Sequence, residues 1–204
     1  MYLATYNVQS DEDLVPVGST AIYPLGLYSS KYDAVEDIPA GETVAVPNDE
    51  SNQARGLLVL QSAGLIELKD GGSIFSTVAD VLDSSTVKVE ALDAAFTATS
   101  LPDVAAAIIN NDFVEDAGLS FQDAIATDDP SDPNALPYVN IFAARADDAD
   151  NETYRKLVEI YQTTQEVQDG VQEASGNTAE LLQTPVEDLT ASLADVEEDI
   201  RANQ

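Results

Sequence analysis

The stretch from Val44 to Gly64, VAVPNDESNQARGLLVLQSAG, constrains the fold more than any other part of this 204-residue chain. Val44, Ala45 and Val46 read as a short buried strand, and Pro47-Asn48-Asp49 breaks it. Asp49 or Ser51 is placed to cap a helix, whose apolar face of Leu57, Leu58 and Leu60 runs to a glycine stop at Gly64. Arg55 falls in the first or second turn of that helix, in a chain with only eight basic residues. A helix N-terminus favours anions, and a guanidinium adds a planar fork that matches a carboxylate. Two readings follow from spacing alone: an ion pair with one of many neighbouring acids, or a clamp for a bound carboxylate.

The charge limits what the chain can meet. Thirty-eight acids stand against eight bases, a net charge of −30, and they are spread along the whole length. Dispersed acid with few lysines suggests a surface adapted to high salt, because at molar salt the Debye length falls to about 3 Å and self-repulsion is screened. A halophilic protein is therefore expected, and nucleic acid is excluded as a partner. Hydrophobic residues make up 44%, which suits a globular core. The chain has no Cys and no His, which removes Ser-His-Asp triads, thiol nucleophiles and conventional zinc sites. No cofactor is implied. No apolar run approaches the roughly 18 residues of a membrane span. The opening MYLATYNVQSDED lacks the basic and apolar regions of a signal peptide, and Tyr2-Leu3 start abruptly, as if cut into an existing element.

Along the chain, Leu14–Val17 reads as a strand and residues 21–29 as a second one interrupted by Pro24. Asp33–Pro39 reads as a helical turn, and a helix is expected from Ser73 with Ile74, Val78, Val81 and Leu82 at helical spacing. Val87, Val89 and Ala91 alternate onto one face of a strand. Residues 105–109 form a buried strand ended by Asn110, and 138–144 form another that contains Asn140. Asp128–Asn134, DDPSDPN, is expected as an exposed acidic loop. Tyr154, Leu157, Val158 and Tyr161 stripe a helix over about 152–168. Alternating strands and helices argue for an α/β fold with mostly parallel sheet, whose ligands gather at the carboxyl ends of the strands. Thr184-Pro185-Val186-Glu187 opens a last helix with a narrow seam of Val186, Leu189, Leu193, Val196 and Ile200, expected to dock on its own domain.

The sequence resembles the NlpA family of substrate-binding lipoproteins, the methionine-binding components of ABC importers. The resemblance rests on TYNVQSDEDLVPVGSTAIYPLGLYSSKY (5–32), ETVAVPNDESNQARGLLVLQSAGLIELKD (42–70), ALDAAF (91–96), AAIINNDFVEDAGL (106–119) and PYVNIFAARADD (137–148), in the family's order. It implies a periplasmic-binding-protein-like (type II) fold of two lobes with an amino acid held between them, and an importer permease as partner. On the matched positions Arg55 would clamp the ligand carboxylate, Asn110 and Asn140 would contact the amino acid backbone, and Tyr2 would line the side-chain pocket. The resemblance further implies a remnant first lobe (1–20 and 136–176), a complete second lobe (21–135) and a C-terminal helical extension (177–204). The family's lipid-anchored start and the first part of its first lobe have no counterpart here, so an N-terminally truncated, extracytoplasmic protein is expected. It binds rather than reacts.

A second reading makes the chain a non-binding structural protein that self-associates through its acidic C-terminal helix. A third, an enzyme holding a metal on Asp128 and Asp129, lacks the spacing of a Ca²⁺ loop.

Overall fold

The computed structural model describes residues 1–130 and 132–202. In chain order the elements are α1 (Tyr2–Ser10), β1 (Leu14–Ser19), β2 (Ala21–Ile22), β3 (Gly26–Tyr28), β4 (Thr43–Pro47), α2 (Glu50–Ser62), β5 (Lys88–Leu92) and α3 (Ala94–Ser100). There follow β6 (Ala106–Ile109), α4 (Asn111–Val114), β7 (Ala126–Thr127), β8 (Ile141–Arg145), α5 (Glu152–Thr163), α6 (Gln165–Ala174), β9 (Glu180–Leu181) and α7 (Val186–Ala202). They fall into two compact units, one of Pro24–Asp128 and one of Met1–Tyr23 together with the chain from Asp129 onward.

The unit of residues 24–128 is built on one five-stranded sheet in the order β5-β4-β6-β3-β7. Strand β4 runs parallel to β5 and β6, whereas β3 runs antiparallel to β6 and β7, so the sheet is mixed rather than mostly parallel. Its central strands are buried on both faces, and their side chains divide by simple alternation. Val44, Val46, Ala106, Ile108 and Leu27 face α2 through Leu57 and Leu60. Ala45, Ala107, Ile109 and Tyr28 face α3 and α4 through Ala98 and Val114. Burying each Leu or Ile of this core contributes about 1.5–3 kcal/mol of transfer free energy. Gly56 lets α2 approach closely, because a Cβ there would lie 3.1 Å from Ile108. Asp49 caps α2 by accepting the Asn52 N–H at 2.9 Å, and Gly64, with φ +75°, ends the run. Val87, Val89 and Ala91 do share one face.

The helix expected from Ser73 does not form. Ser76 Oγ takes the Ser73 N–H and Ser73 Oγ takes the Phe75 N–H, while Thr77 and Asp80 close a capping box on one 3₁₀ turn, Val78–Asp80. Local side-chain bonds thus satisfy the backbone without a helix. Leu82 N–H then donates to Glu67 C=O, and Val81 bridges Leu68.

The other unit contains two short antiparallel pairings, β1 with β8 and β2 with β9. Helix α5 packs on β1 where Gly18 leaves room for Val158, which a Cβ would strike. The single helix expected over about 152–168 is two, because Thr164 adopts an extended backbone (φ −90°, ψ 116°) between α5 and α6, and Thr163 Oγ1 bonds back to Glu159 C=O. Strand β8 starts at Ile141, after a 3₁₀ stretch over Pro133–Tyr138, so Tyr138 and Asn140 precede the strand. Helix α7 packs on α1 and β1 within this unit. Leu189 and Val196 of its seam are buried, whereas Val186 remains 41% exposed. Asn7, itself buried, bonds to Leu14 N–H and C=O and to Glu197 of α7.

Candidate ligand-binding site

Strand directions put several polar residues on one edge of the five-stranded sheet. Since β4, β5 and β6 are parallel and β7 is antiparallel to β3, the carboxyl ends of β4, β5, β6 and β7 share that edge. The chain leaving β4 turns into α2 on one face, and the chain leaving the adjacent β6 turns into α4 on the other. Such a divergence opens a crevice at the strand ends, the usual ligand position in α/β sheets. Asn48 and Asp49 follow β4, Asn110 follows β6, and Asp128 follows β7. Ile109 and Thr127 both pair with Gly26, so the backbones of Asn110 and Asp128 lie two strand spacings apart, about 10 Å.

Arg55 stands in the second turn of α2 and is 8% exposed, a buried charge that has to be paired. One partner is Asp128. Nε and Nη2 donate to Asp128 Oδ2 at 2.6 and 2.5 Å, while Asp128 Oδ1 accepts the Leu25 N–H at 2.7 Å. One carboxylate therefore joins α2, the end of β7 and the start of β3. Among the described residues the other ion pairs, such as Arg145–Asp148 and Lys156–Glu159, lie on exposed basic side chains. The ion-pair reading of Arg55 holds in that it binds an acid, but the pair is buried and its partner lies 73 residues away. Asp128 does not lie in an exposed loop, as DDPSDPN suggests: its side chain is 18% exposed, because the guanidinium covers it. Ser131 of the same loop lies outside the described residues.

Asn110 occupies the N-cap position of α4, yet its side chain makes no capping bond. Its Oδ1 is buried without a hydrogen-bond partner, an arrangement that costs about 1–3 kcal/mol. Tyr28, pointing to the same face of the sheet as Gly26, also has a buried hydroxyl without a partner. Burial, and then the charge of Asp123, push its pKa up to about 12. Ser120 holds the Asp123 carboxyl below its ordinary range through its backbone N–H and hydroxyl. A Cβ on Gly26 would lie 2.7 Å from the Tyr28 ring, so glycine is what admits that ring over the strand.

Arg55 and Asn110 thus belong to one unit and one sheet edge. Tyr2 and Asn140 belong to the other unit. Tyr2 opens α1 with its side chain 82% exposed, and Asn140 has an exposed side chain on a backbone bonded to Thr20 and Ala21. In the sequence Asp128 is a candidate only for holding a metal, not for pairing with Arg55, and Tyr28 is not a candidate at all. Nothing in the spacing of 38 acids marks out Asp128, and Tyr28 is signalled only by the Gly-x-Tyr alternation of a buried strand. Among the described residues no helix is long and apolar enough to cross a membrane.

Comparison with known proteins assigns the family. The profile of the NlpA lipoprotein family matches residues 1–182. The D-methionine-binding lipoprotein MetQ of Escherichia coli K12 is 40% identical over 154 residues, covering 74% of this chain and 55% of that protein. The chain spans little more than half the length of the curated relatives it matches. The crystal structure of protein PG110 from Staphylococcus aureus superposes with a TM-score of 0.85 at 34% identity, covering 96% of this chain and 77% of that one. A nutrient-binding protein from Burkholderia cenocepacia, solved bound to methionine, gives a TM-score of 0.77 at 37% identity, with coverages of 88% and 75%. The periplasmic-binding-protein-like α/β fold expected from the resemblance is the fold of these neighbours, and the chain belongs to the NlpA lipoprotein family.

Proposed function

We propose that this chain binds an α-amino acid of the methionine type as the substrate-binding component of an ABC importer, on the extracytoplasmic side of a membrane and with a permease as partner. The observation that carries the proposal is the buried, unpartnered Oδ1 of Asn110 at the carboxyl edge of the sheet. A ligand ammonium is a donor that would satisfy it. The buried Arg55 guanidinium supplies charge-assisted bonds for the ligand carboxylate, contacts worth about 1.5–3 kcal/mol. Asn140 and Tyr2 keep, in this reading, the ligand-contact roles that the family resemblance implies. E. coli MetQ is a D-methionine-binding lipoprotein and the Burkholderia protein was solved bound to methionine, which supports the same ligand class here. Chemistry beyond binding has no part in the proposal.

The test is a thermal-shift and calorimetric titration with L- and D-methionine in molar KCl. Saturation at a hundred times Kd stabilises a folded protein by about 2.7 kcal/mol, a clear rise in Tm. Arg55→Ala is expected to lower affinity at least about tenfold. A folded sample that shows neither heat nor shift with either enantiomer overturns the proposal.

A further inference from the structure

We infer that Asp128 is a specificity-determining residue of this site, selecting an amino acid zwitterion over a simple carboxylic acid. The inference rests on the amino-acid reading above. The starting point is charge. Arg55 and Asp128 cancel one another before any ligand arrives, in a chain whose net charge is −30. A plain carboxylate entering beside this pair adds an uncompensated anion next to Asp128. A zwitterion adds opposite charges together, and like-charge juxtaposition is what discriminates against the former.

Counting acceptor positions supports this assignment. An ionised carboxylate offers about four lone-pair sites. Asp128 Oδ2 accepts from Arg55 Nε and Nη2, and Oδ1 accepts from Leu25 N–H, which leaves one site on Oδ1. The side chain keeps 18% exposure, so that site is open to a donor. A ligand ammonium fits, in the region that the orphaned Asn110 Oδ1 also borders from two strands away. The bonds from α2 and from Leu25, just before β3, fix the carboxylate in advance, so its preference is built into the site without rearrangement.

Three probes separate the possibilities: L-methionine, 4-(methylthio)butanoate, which lacks the ammonium, and methionine methyl ester, which lacks the carboxylate. Each is titrated by calorimetry in molar KCl into the full chain, Asp128→Asn and Asp128→Glu. The wild type is expected to bind methionine best and the ester more tightly than the butanoate. Asp128→Asn should narrow the gap between methionine and butanoate about tenfold or more, by weakening methionine. Asp128→Glu, which keeps the charge, should retain most of the gap. An unchanged gap in a folded Asp128→Asn overturns the inference, as does a gain in methionine affinity, the mark of a carboxylate that the ligand merely displaces. If Asp128→Asn does not fold, the wild-type ranking decides: butanoate above ester overturns the inference, and ester above butanoate supports it. A wild type that binds none of the probes overturns the parent reading as well.

Discussion

The sheet of residues 24–128 is buried by the alternation of apolar side chains, whereas the paired strands of the other unit are secured largely by polar ones. In the first, Val44, Val46 and Ile108 project to one side and Ala45, Ala107 and Ile109 to the other, each covered by helices of the same unit. In the second, Asn7 spans β1 and α7, Ser19 Oγ bonds to Leu182 C=O and Thr184 N–H, and Gln162 Nε2 reaches Ser19 C=O. Exposed large apolar residues follow the same division. Tyr2, Tyr6, Leu157, Ile160 and Val186 belong to the polar-stitched unit, against Leu82 and Phe96 in the other. A wide sheet covers its own apolar surface; narrow pairings need directional bonds to hold their helices.

Core truncation should separate the two units most strongly. Leu57→Ala is expected to cost about 3 kcal/mol in urea denaturation, because the close-packed face between α2 and β6 cannot collapse onto the gap. A loss below about 1 kcal/mol would show that alternation is not what secures this sheet. Asn7→Ala comes next, at about 1–3 kcal/mol, since it strands the part-buried Leu14 N–H and C=O. Hydrogen exchange should accelerate in α1 and α7 while the amides of β4 and β6 keep their protection; faster exchange in β4 would contradict the division. The smallest effect belongs to Tyr28→Phe, within about 1 kcal/mol at neutral pH, because the hydroxyl it removes has no partner. Its pH dependence is more telling. The folded state holds the Tyr28 proton up to about pH 12, above the ordinary value of 10. This contribution is therefore intact below pH 10 and is lost as pH rises from 10 towards 12. Wild type should lose more stability than Tyr28→Phe over that interval, and equal losses would count against a buried phenol.

What was legible in the sequence was local and periodic. Val44–Val46 with its Asp49 cap, the face of Val87, Val89 and Ala91, and the seam of Leu189 and Val196 all stand where their spacing places them. Helix α3 was not legible. Its AAFTATS sequence sets two threonines and a serine among its alanines, and Thr97, Thr99 and Ser100 bond back to carbonyls of the preceding turn. The break at Thr164 was hidden because Gln162-Thr163-Thr164-Gln165 contains neither the Pro nor the Gly that marks a helix end. At the site, Arg55 and Asn110 could be picked out as residues where strands pass into helices. Asp128 could not, since its role depends on a two-residue strand, β7, that brings it to Arg55 from far along the chain.

The bond from Leu25 N–H to Asp128 has a topological consequence. Residues 24–128 form an insertion in the other unit, entered at Pro24 and left at Asp128. The two ends of that insertion are pinned together at 2.7 Å, with a second bond from Asp128 N–H to Leu25 C=O at 3.2 Å. Both ends therefore leave as one doubled cord, and the loop that the host chain must close around the insertion is short however long the inserted sequence becomes. A segment with this layout can be exchanged for a homologous one, or joined end to end and reopened elsewhere, without rethreading its host. The acid that neutralises Arg55 is also the clasp of that cord.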